Sequence, residues 1–173
     1  SDQTSELAKN LGINIVKLNE VDYIDLTIDG ADEVDLNLNG IKGGGGALLF
    51  EKIVAAASEK VIWIVDSSKF VKKLGKFPLP VEVVPLAANH IIKRFKESGY
   101  SPVIRMNGSK IYITDSGNEI IDLHLHEIED SIKLEQEIKL IPGVVEVGLF
   151  NNFADNVIIG KGNSTEIISR KII

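Results

Sequence analysis

Residues 24–66 read IDLTIDGADEVDLNLNGIKGGGGALLFEKIVAAASEKVIWIVD, and this stretch decides the fold. At its far end Val61 to Val65, VIWIV, is an unbroken apolar run, the pattern of a strand buried on both faces of a parallel sheet. Ahead of it, Ala47 to Lys60 holds good helix formers and neither Gly nor Pro, which predicts a helix. Ile24 to Ile28 predicts the preceding strand, while Asp29 to Gly46 is too rich in Gly, Asp and Asn for either state. Strand, loop, helix, strand is a βαβ unit, which calls for a parallel sheet with helices packed on it. Upstream, Ser5 to Leu11 predicts a short helix closed by Gly12, and Ile13 to Lys17 a further strand. The opening SDQTSELAKNLGI has no initiating Met and reads as the interior of a longer polypeptide.

After Lys76 the character changes. Phe77 to Pro85, FPLPVEVVP, holds three prolines in nine residues and predicts an extended crossing between domains. A helix over Ala87 to Glu97 follows, then strands near 102–106, 110–114 and 119–125, a helix over Ser131 to Leu140 and a strand over Val144 to Leu149. Ile111 to Thr114 and Ile120 to His126 alternate apolar and polar, which suits an antiparallel sheet with one wet face. The expected fold class is therefore α/β, a Rossmann-like parallel sheet carrying an inserted, smaller antiparallel α+β domain of ferredoxin-like type. The first domain takes residues 1–78 and 149–173, the insert 79–148.

Composition narrows the function classes. Of 173 residues 44% are hydrophobic, enough for a sizeable core. The net charge of −6, from 19 basic and 25 acidic residues, argues against nucleic acid, whose phosphates demand a basic surface. There is no cysteine, so disulfides, thiol catalysis and zinc-thiolate sites are excluded. No apolar run approaches the ~20 residues a membrane helix needs. A soluble cytoplasmic protein is expected, with no membrane partner.

Several residues in the deciding stretch have chemistry to offer. DLTID ends at Asp29 and WIVD at Asp66, and ligands of open parallel sheets sit outside the carboxyl ends of the strands. Each Asp singly is as readily a turn former or helix cap. Asp29, Asp32 and Glu33 lie within five residues, so mutual repulsion should raise a pKa unless a cation is near. The alternative is a solvated acidic turn. Gly43 to Gly46, preceded by Lys42, allow backbone N–H groups to approach an anion ahead of a helix. The run is neither a P-loop nor a G-x-G-x-x-G motif. Glu51, one turn into that helix, has only Ala47, Leu48, Val54 and Ala55 at i±3 and i±4, with no basic partner at helical spacing. It is either a surface carboxylate at a helix edge or a desolvated one with the raised pKa of a general base. Two imitations fail or stay weak. Asp35 to Gly40 starts like a calcium loop, but its twelfth position is Gly46 rather than Glu. Asp122, His124 and His126 alternate along one strand face, which a wet sheet face explains without metal. No metal and no cofactor is expected.

DGADEVD, IKGGGGALLFEKI, VDSSKFVKKLGKFPLPVEVVP and IPGVVEVGLF, in this order, resemble the central and C-terminal motifs of type A ribose-5-phosphate isomerase. The resemblance implies an aldose–ketose isomerase of the non-oxidative pentose phosphate pathway, interconverting ribose 5-phosphate and ribulose 5-phosphate through an enediolate. It implies that Glu51 moves the proton between C1 and C2, and that Lys42 with the amides of Gly43, Gly44 and Gly45 holds hydroxyls and the developing oxyanion. Asp29 and Asp32, with the backbone of Gly30 and Ala31, would bind the sugar and help open its ring. Lys69 would meet the phosphate and Asp66 line the site. The family's N-terminal phosphate loop has no counterpart here, so that segment is expected to be missing from this chain. Gly46 stands where many relatives carry Ala, a difference expected to be harmless. The expected partners are a sugar phosphate and further copies of the chain, as a dimer or tetramer. A sugar-phosphate sensor would keep the phosphate loop and lose the base, the reverse of this pattern. A purely structural domain leaves Asp29, Asp32, Lys42, the glycines and Glu51 unexplained together.

Overall fold

In the computed structural model, which describes residues 2–170, the run VIWIV is an inner strand of a mixed sheet. In chain order the elements are α1 (Asp2–Asn10), β1 (Thr27–Asp29), β2 (Glu33–Val34), β3 (Gly40–Ile41), α2 (Leu48–Ala56), β4 (Val61–Asp66) and β5 (Leu79–Val83). Then come α3 (Ala88–Glu97), β6 (Pro102–Ile104), β7 (Met106–Asn107), β8 (Lys110–Ile111), β9 (Glu119–Leu123) and α4 (Ser131–Lys139). The chain closes with β10 (Val144–Val147), β11 (Leu149–Phe150), β12 (Asn156–Lys161) and β13 (Ser164–Ser169). This is an α/β fold. Residues 1 and 171–173, included in the range read as the first domain, lie outside the described residues.

The first sheet runs β1-β4-β12-β13, with β1, β4 and β12 parallel and β13 returning antiparallel. α2 packs on one face, where Leu48 and Ala55 meet Val61, Trp63, Val65, Val157 and Ile159. The expectation that β4 is buried on both faces does not hold. Its burial alternates, and Ile64 is exposed together with Ile28 and Ile167, which lie on the same side. Among the described residues no helix covers that face.

The second sheet, β10-β5-β9-β6, is antiparallel throughout. FPLPVEVVP is more than a crossing: Leu79 to Val83 form an inner strand whose five residues are all buried. Pro80 fits because pairing with β10 covers only Val81 to Val83, so its missing N–H leaves no ladder bond unmade there. Its carbonyl accepts from Gly148 N–H at 2.7 Å. The wet face expected of residues 120–126 holds at His124 and His126, which are exposed, but not at Ile120. Ile121 and Leu123 belong to the core under α3 and α4, while Ile120 points the other way into the core beneath α2. β9 is thus packed on both sides, and the polar residue sharing the face of Ile120, Asp122, is neutralised by Arg105.

Two further expectations yield to tertiary contacts. Ile13 to Lys17 form no strand and lie exposed, with no pairing partner among the described residues. The helix predicted to Lys60 ends at Ala56, because Glu59 N–H donates to Ile24 O and Ser58 Oγ bonds Val54 O and Thr27. Those bonds turn the chain out of α2 and into β4.

Candidate active site

β1 ends at Asp29, and a small antiparallel sheet, β11-β3-β2, carries Lys42 just past its middle strand. Together with the glycine loop and the first turn of α2 they enclose a cleft of about 170 Å³. It is lined by Asp29, Gly30, Ala31, Asp32, Lys42, Gly43, Gly44, Gly45, Glu51 and Lys69. Larger hollows exist, such as one of about 470 Å³ beside His124 and His126, but this cleft holds a buried lysine between carboxylates.

Lys42 is the centre of the cleft, only 3% exposed. Its Nζ donates to Asp29 Oδ2 at 2.9 Å and to Gly30 O at 2.6 Å. An ammonium has three protons, so one is left for a ligand oxygen. Nζ also lies 3.2 Å from Glu51 Oε2, within ion-pair distance. The angle there is poor for a hydrogen bond, so Lys42 acts on the buried Oε2 mainly through its charge. Burial pushes the Glu51 pKa up, and this outweighs the lowering by Lys42; the Asp29 and Asp32 carboxylates push the same way as burial. Sequence spacing along the helix showed no cation for Glu51. The cation comes instead from nine residues upstream, across the glycine turn.

The next residue on α2 fixes the helix roll. Lys52 is buried and its Nζ donates to Glu135 and Glu146 carboxylates and to Val147 O and Leu149 O, all within 2.9 Å. Successive side chains on a helix diverge by about 100°, so anchoring Lys52 toward α4 and β10 directs Glu51 to the cleft.

The acidic cluster is divided among separate partners. Asp29 binds Lys42, Asp32 Oδ2 accepts from Gly44 N–H at 2.8 Å, and Glu33 turns to the opposite side. There its two oxygens accept the N–H groups of Gly75 and Phe77, both at 2.7 Å. Alternation along β2 separates Glu33 from its neighbour. Asp66 is not among the residues lining the cleft. Its Oδ1 caps the 3-10 turn Ser67–Lys69 by accepting from Ser68 N–H and Oγ, bonds that lower its pKa. Lys69, at the end of that turn, does line the cleft.

Sequence reading missed Arg105 and Tyr112. Arg105 Nη1 donates to Gly43 O at 2.7 Å and Gly44 O at 3.2 Å, and Tyr112 Oη to Gly45 O at 3.3 Å. No local signal marks either, since each reaches the loop from more than sixty residues away. Tyr112 also changes the standing of Gly46. That residue has φ +88°, and a Cβ there would fall 2.2 Å from Tyr112 Oη. The left-handed backbone favours glycine here, and the Tyr112 ring tip would have to shift to admit a Cβ. Gly46→Ala is expected to cost about 1–3 kcal/mol, read as a lower denaturation midpoint; an unchanged midpoint would show the loop relaxing freely.

A family model described as ribose 5-phosphate isomerase A (phosphoriboisomerase A) matches residues 1–164. Ribose-5-phosphate isomerase A of Limosilactobacillus reuteri is 53% identical over 168 residues, covering 97% of this chain and 74% of the relative. That of Bifidobacterium adolescentis is 52% identical over 170 residues, covering 97% and 73%. A solved D-ribose-5-phosphate isomerase in complex with phospho-erythronic acid superposes with a TM-score of 0.94 at 42% identity, covering 98% of this chain and 76% of that one. Ribose 5-phosphate isomerase A of Neisseria gonorrhoeae gives 0.92 at 43% identity, covering 99% and 76%.

Proposed function

We propose, from the premise that this chain belongs to the ribose-5-phosphate isomerase A family, how its cleft interconverts ribose 5-phosphate and ribulose 5-phosphate. Glu51 is the base. Its carboxylate takes the C2 proton of the open-chain aldose, the C2–H electron pair forms a C1–C2 double bond, and the carbonyl pair moves onto O1. Lys42 and the free amides of the glycine loop stabilise the negative O1, the arrangement that lowers such barriers most. Glu51 then returns the proton to C1, while the O2 hydroxyl proton passes to O1 and C2 becomes the ketone carbon. Asp29, Asp32 and the Gly30–Ala31 backbone hold the sugar and assist ring opening. Lys69 approaches the phosphate, and the phospho-erythronic acid complex of a relative supports a phosphorylated ligand.

The observation that carries this reading is Lys42 Nζ, 2.9 Å from Asp29 and 3.2 Å from Glu51, in a cleft where the Glu51 pKa is raised. Turnover in D2O tests it. A base that shuttles the proton exchanges it with solvent, so deuterium is expected at C2 of recovered ribose 5-phosphate. Isomerisation with no solvent label, together with normal turnover in Glu51→Gln, would point to a direct hydride shift and remove Glu51 from its role. No helix among the described residues is long and apolar enough to cross a membrane. A cytoplasmic location and a dimer or tetramer belong to the same proposal, and light scattering reads the second directly.

A further inference from the structure

Three consecutive carbonyls of the glycine loop are held from one side. Arg105 donates to Gly43 O and Gly44 O, and Tyr112 to Gly45 O. The described peptide bonds are trans, and in a trans peptide the N–H points opposite to the C=O. Anchoring the Gly43 carbonyl turns the Gly44 N–H toward Asp32, where it bonds at 2.8 Å. Anchoring the Gly44 carbonyl turns the Gly45 N–H away from Arg105, and that N–H has no protein acceptor among the described residues. Arg105 itself has little freedom. Its side chain is 14% exposed, and its Nε and Nη2 grip both oxygens of Asp122 on β9, the two-pronged pairing that fixes a guanidinium plane. It emerges between β6 and β7 of the antiparallel region, with its own N–H on Ile120 O.

We propose that Arg105, held by Asp122, is a positioning residue for the isomerisation: it sets the peptide plane between Gly44 and Gly45 so that the Gly45 N–H faces the reacting sugar oxygen, while the plane between Gly43 and Gly44 directs its N–H to Asp32. This rests on the reading of the loop as an oxyanion cradle. A four-glycine loop is the segment most in need of such a device, because glycine leaves the backbone free to rotate each peptide away. A guanidinium against the carbonyl oxygens also polarises those amides, strengthening their N–H groups as donors. Lysine offers one ammonium and no plane, so it replaces this geometry only in part.

The test uses the full-length protein, with Arg105→Met, Arg105→Ala, Arg105→Lys, Asp122→Asn and Glu51→Gln compared by steady-state kinetics and thermal denaturation. Removing an oxyanion donor outright costs about 10² to 10³ in kcat, so Arg105→Met, which only loosens donors, should cost about 10- to 100-fold. KM should change less than about threefold, because the amides act on charge that develops in the transition state. Arg105→Lys should recover part of kcat. Guanidinium ion, added to Arg105→Ala far below denaturing concentrations, should restore kcat saturably, which a merely structural role does not do. Should Arg105→Met unfold, Asp122→Asn carries the test, since it keeps the side-chain volume but removes the charge and one of the two oxygens that hold the guanidinium plane. An unchanged kcat in a folded Arg105→Met or in Asp122→Asn overturns the inference, as does a loss that follows stability with no guanidinium rescue. If Glu51→Gln is inert while Arg105→Met is fully active, only this inference falls. If Glu51→Gln turns over normally, the reading of the cleft falls first.

Discussion

Glu51→Gln is expected to lower kcat by about 10² to 10⁴-fold with KM little changed, the range typical of losing a general base. The amide keeps the volume and hydrogen-bonding capacity of the side chain but cannot accept the C2 proton. The parent enzyme should show the same group in its pH profile. Activity requires the carboxylate, so kcat/KM should fall on the acid side with a midpoint above the ordinary glutamate value of 4.5. The direction follows from burial, which the Lys42 charge only partly offsets. Stability runs with the opposite sign to activity. A carboxyl whose folded pKa is raised favours folding below its unfolded pKa, and that contribution is lost as pH rises through the folded pKa. At neutral pH the Glu51 carboxylate is therefore a burden, and Glu51→Gln should unfold no more readily than the parent. Glu97→Gln on α3 is the control. Its side chain is exposed and paired only with Lys93 one turn away, so both turnover and stability should stay as they are. Normal turnover in Glu51→Gln, or a loss accounted for by unfolding, would remove the residue from the mechanism.

Lys42→Met should be as damaging to catalysis and worse for the fold. Methionine fills the same channel without a charge, so Asp29 and Glu51 face each other uncompensated and Gly30 O loses its donor. Loss of a donor to the developing oxyanion costs about 10² to 10³ in kcat. Removing one member of a buried ion pair costs about 3–5 kcal/mol when both partners are fully buried. Here the Asp29 and Glu51 side chains keep 33% and 27% of their surface, so water recovers part of the loss. A decrease on the order of 1–3 kcal/mol is expected by denaturant titration. Whatever activity survives carries a diagnostic. With the lowering influence of Lys42 gone, the Glu51 pKa rises further, so the acid limb of the pH profile should move to higher pH. An acid limb that stays in place would mean that another group controls it.

The local grammar of the chain already pointed to the candidate residues. Good helix formers after a glycine run put Glu51 in the first turn of a helix, and two apolar runs ending in Asp marked strand ends, because these preferences act within a few residues. Family motifs then attached a reaction to Asp29, Asp32, Lys42 and Glu51. The same local rules treated Asp66 as the twin of Asp29, Glu33 as a member of one acidic cluster and VIWIV as buried on both sides. None of the three can be resolved from neighbours in sequence. Asp66 turns onto Ser68, Glu33 turns onto Gly75 and Phe77, and the burial of β4 depends on what lies across each face.

By itself, then, the sequence determined the α/β class, the order of strand, loop and helix, and a set of candidate residues of which Asp29, Asp32, Lys42, Glu51 and Lys69 line one cleft while Asp66 does not. Only the tertiary structure decided what those residues experience. Lys42 reaches Glu51 because a glycine turn folds β3 back on α2, and Lys52 fixes the helix roll through carboxylates 83 and 94 positions away. Arg105 grips the glycine loop from 62 positions away. Propensity and periodicity decay within about one helical turn or one strand, whereas charge, desolvation and hydrogen-bond direction depend on distance in space. Glu51 was therefore legible in the chain as a candidate base, while its counter-charge and the Arg105 contacts with the glycine loop were not.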